Sequence, residues 1–413
     1  MNYIESIDYV HAIPKFVRPL GNEKLGGLLD LLDLPQSKLK FIHVAGTNGK
    51  GSVCRMTAEI LKNAGYKTGL FTSPFIEVFN ERIQINNVNI SDDDLARYIT
   101  NVADTMKAND ISVSEFAFIT AVALKYFADL QCDIVVLETG MGGRLDATNI
   151  IPAPVCAALT SISLDHTQYL GDTIEEIALE KCGIIKSGTT VVTARNRLVQ
   201  SIITEQAKKA DAELIVCGNS LKTKSGFIYK GKEYKLGLKG EYQAENASVV
   251  YEIVDVLRRD GYKISDDALK DGFKNAHWMA RYEFVTPDIV IDGGHNIDGI
   301  RALKKSLISE NRDVILVLTM MQDKDYRECI KELCTIARKV VATELDMPRG
   351  LKCSEIQSIC EANKTECIAE SDIRKAVKTA CDMANGSLVC VCGSLYLAGE
   401  VRQMINNGGL VSG

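Results

Sequence analysis

Short apolar runs of strand length alternate with stretches of helical periodicity along most of the 413-residue chain. The first run, Phe41–Ala45, has the length and apolar character of a buried strand. After it, Val53, Met56, Thr57, Ile60, Leu61 and Ala64 recur at helical spacing and mark one face of a helix that Gly65 ends. Thr68–Phe71 predicts a second strand. Ser91 followed by Asp92, Asp93 and Asp94 opens a helix, because a serine hydroxyl accepts from first-turn amides and acidic charge suits the helix N-terminus. A further helix over 115–130 leads into a buried strand at 134–137, and strands near 155–160, 189–193 and 214–216 continue the alternation. Such alternation predicts an α/β fold with a largely parallel sheet, since parallel neighbours need helical crossovers.

The stretch 218–240 breaks the pattern. It is rich in Gly, Lys and Tyr, with short alternating pieces around Phe227, Tyr229, Tyr234 and Leu236, and predicts a small antiparallel hairpin. Helices at 244–259 and Asp266–Asn275 follow, and after Trp278 the strand–helix alternation starts afresh with strands at Ile289–Ile291, Val314–Leu318, 340–343 and 388–391. These features place one domain at 1–285 and a smaller one at 286–413.

Composition narrows the class. Hydrophobic residues make up 46% and charged residues 25%, and 48 Lys+Arg against 54 Asp+Glu leave a formal charge of −6. No broad basic surface is available, so nucleic acid is not expected as a ligand. The longest strongly apolar run, 314–321, falls far short of the roughly 20 residues of a membrane span. Residues 1–10 carry Glu5 and Asp8 and no basic cluster, unlike a secretion signal. The expectation is a soluble cytoplasmic chain with no membrane partner. Thirteen cysteines, an odd number with no CxxC pair and only five histidines beside them, read as reduced buried thiols rather than a disulfide or zinc framework.

The strongest local signal is His43-Val44-Ala45-Gly46-Thr47-Asn48-Gly49-Lys50-Gly51-Ser52. It lies between a strand and a helix, where backbone amides and the helix N-terminus favour an anion. Its glycines let the backbone curl around phosphate oxygens. Lys50 offers positive charge to the outer phosphates, and Ser52 is placed to approach Mg²⁺. The spacing departs from G-x-x-x-x-G-K-[ST], because Gly51 separates Lys50 from Ser52. This is a nucleotide site, with Gly46, Thr47, Asn48, Gly49, Lys50, Gly51 and Ser52 as its candidate contacts.

The loop resembles that of the Mur-ligase superfamily, and specifically the folylpolyglutamate synthase/dihydrofolate synthase family. Further blocks resemble the same family in order along nearly the whole chain: Thr72-Ser73-Pro74-Phe75, Asn80-Glu81-Arg82-Ile83, Glu138 to Asn149 through Gly140-Met141-Gly142-Gly143-Arg144-Leu145-Asp146-Ala147, Leu164-Asp165-His166, Glu180-Lys181-Cys182-Gly183, Asp292-Gly293-Gly294-His295-Asn296 and Gly393-Ser394-Leu395. The resemblance implies a P-loop ATPase-like first domain with a small antiparallel insertion, then a Rossmann-like second one.

It also implies residue roles. Glu138 ends a buried strand at the edge where such sheets bind ligands and is a hard oxygen donor suited to Mg²⁺; Ser73 and His166 complete the implied metal environment. His166 read alone is an ordinary loop histidine, and Lys181 read alone is a solvated helix residue. The resemblance makes Lys181 a carbamylated lysine that helps hold a second magnesium, a modification that needs a neutral amine. Asn246, Arg281 and Asp292 match ATP-contacting positions, with Arg281 in the interdomain linker; a salt bridge and a helix cap are the ordinary readings of the last two. Ser114, Glu115, Phe116 and Ala117, with Leu145, Asp146 and Ala147, match the lining of the pterin slot, although Phe116 at helical spacing is equally a core residue. Residues 75–83 resemble a mobile loop near substrate. Tyr242, Met279 and Ile297 depart from common family residues, His, Pro and Pro respectively.

The implied activity is ATP-dependent addition of L-glutamate to folate, and to dihydropteroate, through an acyl phosphate, by a monomer using ATP and Mg²⁺. Catalysis would fall to Lys50, His166 and Lys181. Two alternatives stand beside it. A cell-wall Mur ligase carries an extra domain before the loop, where only 42 residues precede His43 here. A P-loop switch would leave the second α/β domain without a role, and no N-K-x-D motif is present.

Overall fold

The computed structural model describes residues 1–15 and 21–408. Two compact units emerge, one of Met1–Gly237 with Ala244–His277, the other of Leu238–Gln243 with Trp278–Gly413.

The first unit opens with two helices, α1 (Tyr3–Ala12) and α2 (Glu23–Leu31), followed by β1 (Phe41–Ala45), α3 (Lys50–Asn63) and β2 (Thr68–Phe71). A short hairpin, β3 (Ile83–Ile85) and β4 (Val88–Asn89), precedes α4 (Asp92–Ala108), α5 (Glu115–Asp129) and β5 (Ile134–Glu138). Then come β6 (Cys156–Leu159), α6 (Thr167–Leu170), α7 (Ile174–Cys182), β7 (Thr190–Thr193), α8 (Gln200–Lys209) and β8 (Glu213–Val216). The eight strands form one sheet in the order β4-β3-β2-β5-β1-β6-β7-β8. From β2 to β8 all pairings are parallel; β3 adds antiparallel to β2, and β4 to β3.

Every residue of β1, β2, β5 and β6 is buried, as expected of central parallel strands covered by helices on both faces. One core gathers Leu25, Leu28, Phe41, Phe71, Ile99, Phe118, Phe127, Val135 and Leu137; another gathers Ala157, Leu159, Ile177, Val191 and Ile203. Helix α4 starts as its sequence demands, with Ser91 accepting from the Asp94 amide, and α3 gives way after Ala64 to Gly65 at φ 90°.

A three-stranded antiparallel sheet of β9 (Leu221–Lys222), β10 (Gly226–Tyr229) and β11 (Lys232–Lys235) occupies the region read as a hairpin. The third strand was not legible because it is two residues long. Helices α9 (Gln243–Arg259) and α10 (Asp266–Asn275) complete the unit, α10 packing on α3.

In the second unit β12 (Glu283–Thr286) and β13 (Ile289–Ile291) form a hairpin, followed by α11 (Ile297–Ser309), β14 (Val314–Leu318), α12 (Tyr326–Cys334), β15 (Ala337–Ala342), α13 (Cys353–Ala362), β16 (Cys367–Ala369), α14 (Ile373–Asp382), β17 (Leu388–Cys392) and α15 (Leu395–Asn406). The sheet order is β12-β13-β17-β14-β15-β16, parallel except for β12. A domain boundary drawn at 285 falls inside β12, whereas the units divide at His277/Trp278 because β12 pairs with β13. Segment 238–243 joins this unit through Tyr242, whose hydroxyl donates to Asp292 Oδ2 at 2.8 Å, and through the Glu241 amide, which donates to Ser306 Oγ at 2.9 Å. All thirteen cysteines are free thiols, and eleven of them are buried.

Candidate active site

Parallel strands deliver their following loops to one edge. The order β2-β5-β1-β6 therefore brings together the residues after Phe71, Glu138, Ala45 and Leu159. Four candidate segments meet there: Ser73, Glu138, the loop 46–52 and the stretch 160–166.

Lys50 begins α3, and its N-cap is Gly49 at φ 89°, a conformation that glycine tolerates and that leaves the helix start without a side-chain cap. The first-turn amides therefore face outward as an anion cradle. A Cβ on Gly49 would overlap Asn246 Oδ1, which places Asn246, from α9, against the loop. A Cβ on Gly46, at φ 153°, would overlap Thr160 Oγ1. The stretch after β6 clamps the loop. Thr47 N donates to Ser161 O at 2.7 Å, Thr47 Oγ1 to Ser163 O at 3.0 Å, and Thr160 Oγ1 to Asn48 O at 2.7 Å. Sequence reading missed this clamp; its signal is the run of small hydroxyl residues Thr160, Ser161 and Ser163 after a buried strand.

Two lysines converge on one carbonyl. Lys50 Nζ donates to Gly46 O at 3.1 Å and Thr47 O at 3.2 Å. Lys181 Nζ, from α7, donates to Gly46 O at 2.8 Å. Lys181 is 4% exposed, so it is not the solvated helix residue that its local sequence describes. Burial first, then the Lys50 charge, lower its pKa to about 7, against the opposing pull of Asp165 and Asp146. The amine is then neutral in a large fraction of molecules near neutral pH, the state that attack on CO₂ requires.

A stability effect follows. Between about pH 7 and 10.5 the unfolded chain keeps a proton on Lys181 that the folded chain has lost, so this residue makes stability rise with pH over that window. Urea denaturation of metal-free protein in CO₂-free buffer is expected to show it as a gap between wild type and Lys181→Met that shifts in favour of wild type from pH 7 to 10. A gap flat across that range would show that the amine is not depressed.

Glu138, also 4% exposed, accepts from the Ser73 amide at 3.2 Å. Burial and the Glu138 charge both raise the pKa of neighbouring Cys54, which keeps that thiol protonated. His166 sits at φ 53°, with its amide on Asp165 Oδ1 at 2.8 Å and its Nε2 4.0 Å from Asp165 Oδ2. Among the described residues no group of three His, Cys, Asp or Glu stands ready around a metal.

The proposed slot residues split. Ser114 caps α5 by accepting from the Ala117 amide at 3.3 Å, so its hydroxyl serves the helix. Phe116 packs near Phe71, with centroids 5.8 Å apart, and its ring lies against Gly140, where a Cβ would come within 2.6 Å of it. Glu115 opens the same helix and Ala117 is buried in the core. Leu145 is exposed, while Asp146 and Ala147 are buried. Within residues 75–83, Glu81 accepts from the amides of Ile76, Glu77 and Val78 at 2.7, 3.0 and 2.9 Å, and Arg82 lies over the rings of Phe75 and Phe79.

In the second unit, Asp292 is buried and committed. It receives Tyr242 OH at 2.8 Å, Tyr282 N at 2.9 Å and Gly294 N at 2.7 Å, with the Arg281 charge nearby. Burial still raises its pKa. Asn296 caps α11 by accepting from Gly299 N at 2.9 Å, and His295 Nδ1 contacts Gly293 O at 2.9 Å.

Residues 44–254 match the Mur ligase middle domain, and 280–395 the Mur ligase glutamate ligase domain. The dihydrofolate synthase/folylpolyglutamate synthase of Bacillus subtilis is 33% identical over 98% of this chain and 99% of its own length. The chain belongs to the folylpolyglutamate synthase/dihydrofolate synthase family. It is thus an ATP-dependent, amide-bond-forming ligase. The folylpolyglutamate synthase of Lacticaseibacillus casei is 32% identical over 99% of this chain and all of its own. The Escherichia coli FolC structure in complex with DHPP and ADP superposes with a TM-score of 0.88 at 28% identity, covering 99% of this chain and 98% of that one. No helix of this ligase among the described residues is long and apolar enough to cross a membrane.

Proposed function

We propose that this ligase joins L-glutamate to a pterin-borne carboxylate, accepting both a reduced folate and dihydropteroate. The γ-phosphoryl group of ATP passes to the acceptor carboxylate, giving an acyl phosphate and ADP. The glutamate amine attacks the acyl carbon, the amide forms and phosphate leaves. One observation carries this reading: Lys50 and Lys181 meet at the Gly46 carbonyl, at the sheet edge that Glu138 also ends, in a chain that matches such synthases from end to end.

The chain's work is positioning and charge neutralisation. The α3 amides and Lys50 hold the phosphates, and the clamp from Thr160, Ser161 and Ser163 keeps the loop in shape so that no reorganisation is needed during transfer. Asn246 supports Gly49 from behind. Arg281 and Asp292 are assigned to ATP, with Asp292 acting by fixing the backbone of residues 282 and 294.

Magnesium fits these residues. The ion takes one or two protein carboxylates and fills its shell with phosphate oxygens and water, and Glu138 offers a buried carboxylate beside Ser73. Ser52, Ser73 and Glu138 would hold one ion, and Glu138, His166 and a carbamylated Lys181 a second; bound there, the ions would neutralise charge on the phosphoryl group being transferred. The phosphate loop belongs to the first unit, and Arg281 and Asp292 to the second. We assign the enzyme to the cytoplasm as a monomer.

The test is phosphate release with MgATP and L-glutamate, comparing dihydropteroate, tetrahydrofolate and no pterin, with product masses recorded. The expected result is pterin-dependent release with a product heavier by one glutamate residue. Release indifferent to pterin and glutamate, with no ligated product, would overturn the reading.

A further inference from the structure

A buried polar chain links β1 to the turn 140–148 that follows β5. His43 lies on β1, three residues before Gly46, on the strand face shared with Phe41, and is fully buried. Its Nε2 is 2.8 Å from Thr148 Oγ1. Thr148, also fully buried, gives its hydroxyl proton to Asp146 Oδ1, and its amide donates to the same oxygen at 3.0 Å. A hydroxyl has one proton to give. With that proton on Asp146, Thr148 accepts from His43, which is therefore the Nε2–H tautomer, and its Nδ1 stays buried without a partner. The other Asp146 oxygen accepts from Met141 N at 2.9 Å, and the Gly140 amide also bonds this carboxylate. Gly140 is the residue against which the Phe116 ring lies.

An imidazole buried with one nitrogen unsatisfied costs stability, and an apolar side chain would fill a central strand without that cost. What His43 adds is one directed hydrogen bond into a turn distant in sequence. The turn it reaches, 140–148, carries three of the residues assigned to the pterin slot, and His43 itself sits on the strand that feeds the phosphate loop.

We infer that His43 and Thr148 are positioning residues for the acceptor: through a single hydrogen-bonded chain they hold the Asp146 carboxylate, and with it the Gly140–Met141 backbone under Phe116, in register with the phosphate loop. The inference rests on the proposed function in one respect, that this turn borders the pterin. Neither side chain touches the substrate. Their removal therefore acts on acceptor affinity and leaves the nucleotide site intact.

Calorimetric titration of dihydropteroate, with a non-hydrolysable ATP analogue present, reads the effect directly, alongside the KM of the acceptor and that of ATP. Thr148→Val removes the link: it leaves the His43 donor unpaired and takes the hydroxyl donor from Asp146 Oδ1, which keeps only the backbone amide of residue 148. It is expected to weaken dihydropteroate binding by about tenfold or more, a loss of the size that an unsatisfied buried group causes. ATP-analogue affinity stays within about twofold, since the strand that feeds the phosphate loop and the Asp146 charge that acts on Lys181 both remain in place. Thr148→Ser keeps the hydroxyl and retains affinity. His43→Leu, which fills the space without the donor, is expected to behave like Thr148→Val, and the double variant to be no worse than the weaker single, because both changes break one chain. His43→Gln, with an amide donor near the original nitrogen, is expected to recover most of the loss and serves as the second probe if Thr148→Val does not fold.

Folded variants that bind dihydropteroate like wild type overturn the inference. So does an equal fall in affinity for acceptor and nucleotide, the sign of general loosening. Wild-type protein that neither binds nor extends any pterin overturns the functional reading and the inference with it, a result distinct from both.

Discussion

Lys50→Met is expected to lower kcat for glutamate addition by about 10³-fold or more, in the range seen when a preorganised charge facing a transferring phosphoryl group is removed. The lysine starts α3 with its ammonium folded back onto Gly46 O and Thr47 O, at 3.1 and 3.2 Å. Those two carbonyl contacts hold it over the loop before any nucleotide arrives, so little ordering remains to be done when phosphate binds. Lys50→Arg keeps the charge but changes reach and shape, and a fork with fixed geometry does not reproduce a point charge on two converging carbonyls. It is expected to recover only part of the loss. Steady-state phosphate release and product mass at saturating acceptor are the measurements, with circular dichroism to confirm folding. A methionine variant within tenfold of wild type would remove Lys50 from phosphoryl transfer.

Lys181→Met comes next, with an expected loss of about 10²- to 10³-fold in kcat and ATP-analogue binding preserved within a few-fold. The reason lies in what burial does to this amine. Held at 4% exposure beside Lys50, it loses its proton with a pKa of about 7. A neutral amine adds to CO₂: the nitrogen–carbon bond forms, a proton leaves, and a cation becomes an oxygen anion able to ligate magnesium. Lys181→Arg gives no rescue, because a guanidinium does not surrender its proton in a protein. Wild type stripped of CO₂ is expected to lose activity and regain it with bicarbonate. At fixed dissolved CO₂, reactivation quickens as pH rises through about 7, where the neutral fraction grows. Activity of CO₂-free protein that equals the bicarbonate-treated sample would leave Lys181 as an ammonium anchor for the loop and nothing more.

Some of the site was legible because its chemistry is local. The strand, the glycines and Lys50 lie within eleven residues, and the helix that follows shows its face in six positions, five of them apolar. Glu138 stood out as a carboxylate ending an apolar strand. The second-unit strands Ile289–Ile291 and Val314–Leu318 coincide with their apolar runs, since fully buried strands need continuous apolar sequence. Strands β3, β4, β12 and β16 escaped notice because, at two to four residues, they are too short to show a period.

Other features became visible only with the chain folded. Nothing near Lys181 in sequence says that its amine is buried against Gly46; α7 brings it there through a crossover between β6 and β7. Tyr242 reads as a family departure, yet its hydroxyl is one of three donors that commit Asp292. The internal bonding of residues 75–83 is likewise unseen in sequence, where nothing announces that Glu81 gathers the amides of residues 76, 77 and 78.

Sequence alone determined the α/β class, the phosphate loop, the strand-end carboxylate and the family, because each is written in short-range spacing or in residue identities kept in order. Tertiary structure alone decided which lysine has its pKa pulled down by burial beside the loop, which hydroxyls clamp the loop and which histidine steadies the turn beside Phe116. Those properties depend on desolvation and on hydrogen bonds between residues far apart in sequence, and neither exists until the sheet has assembled.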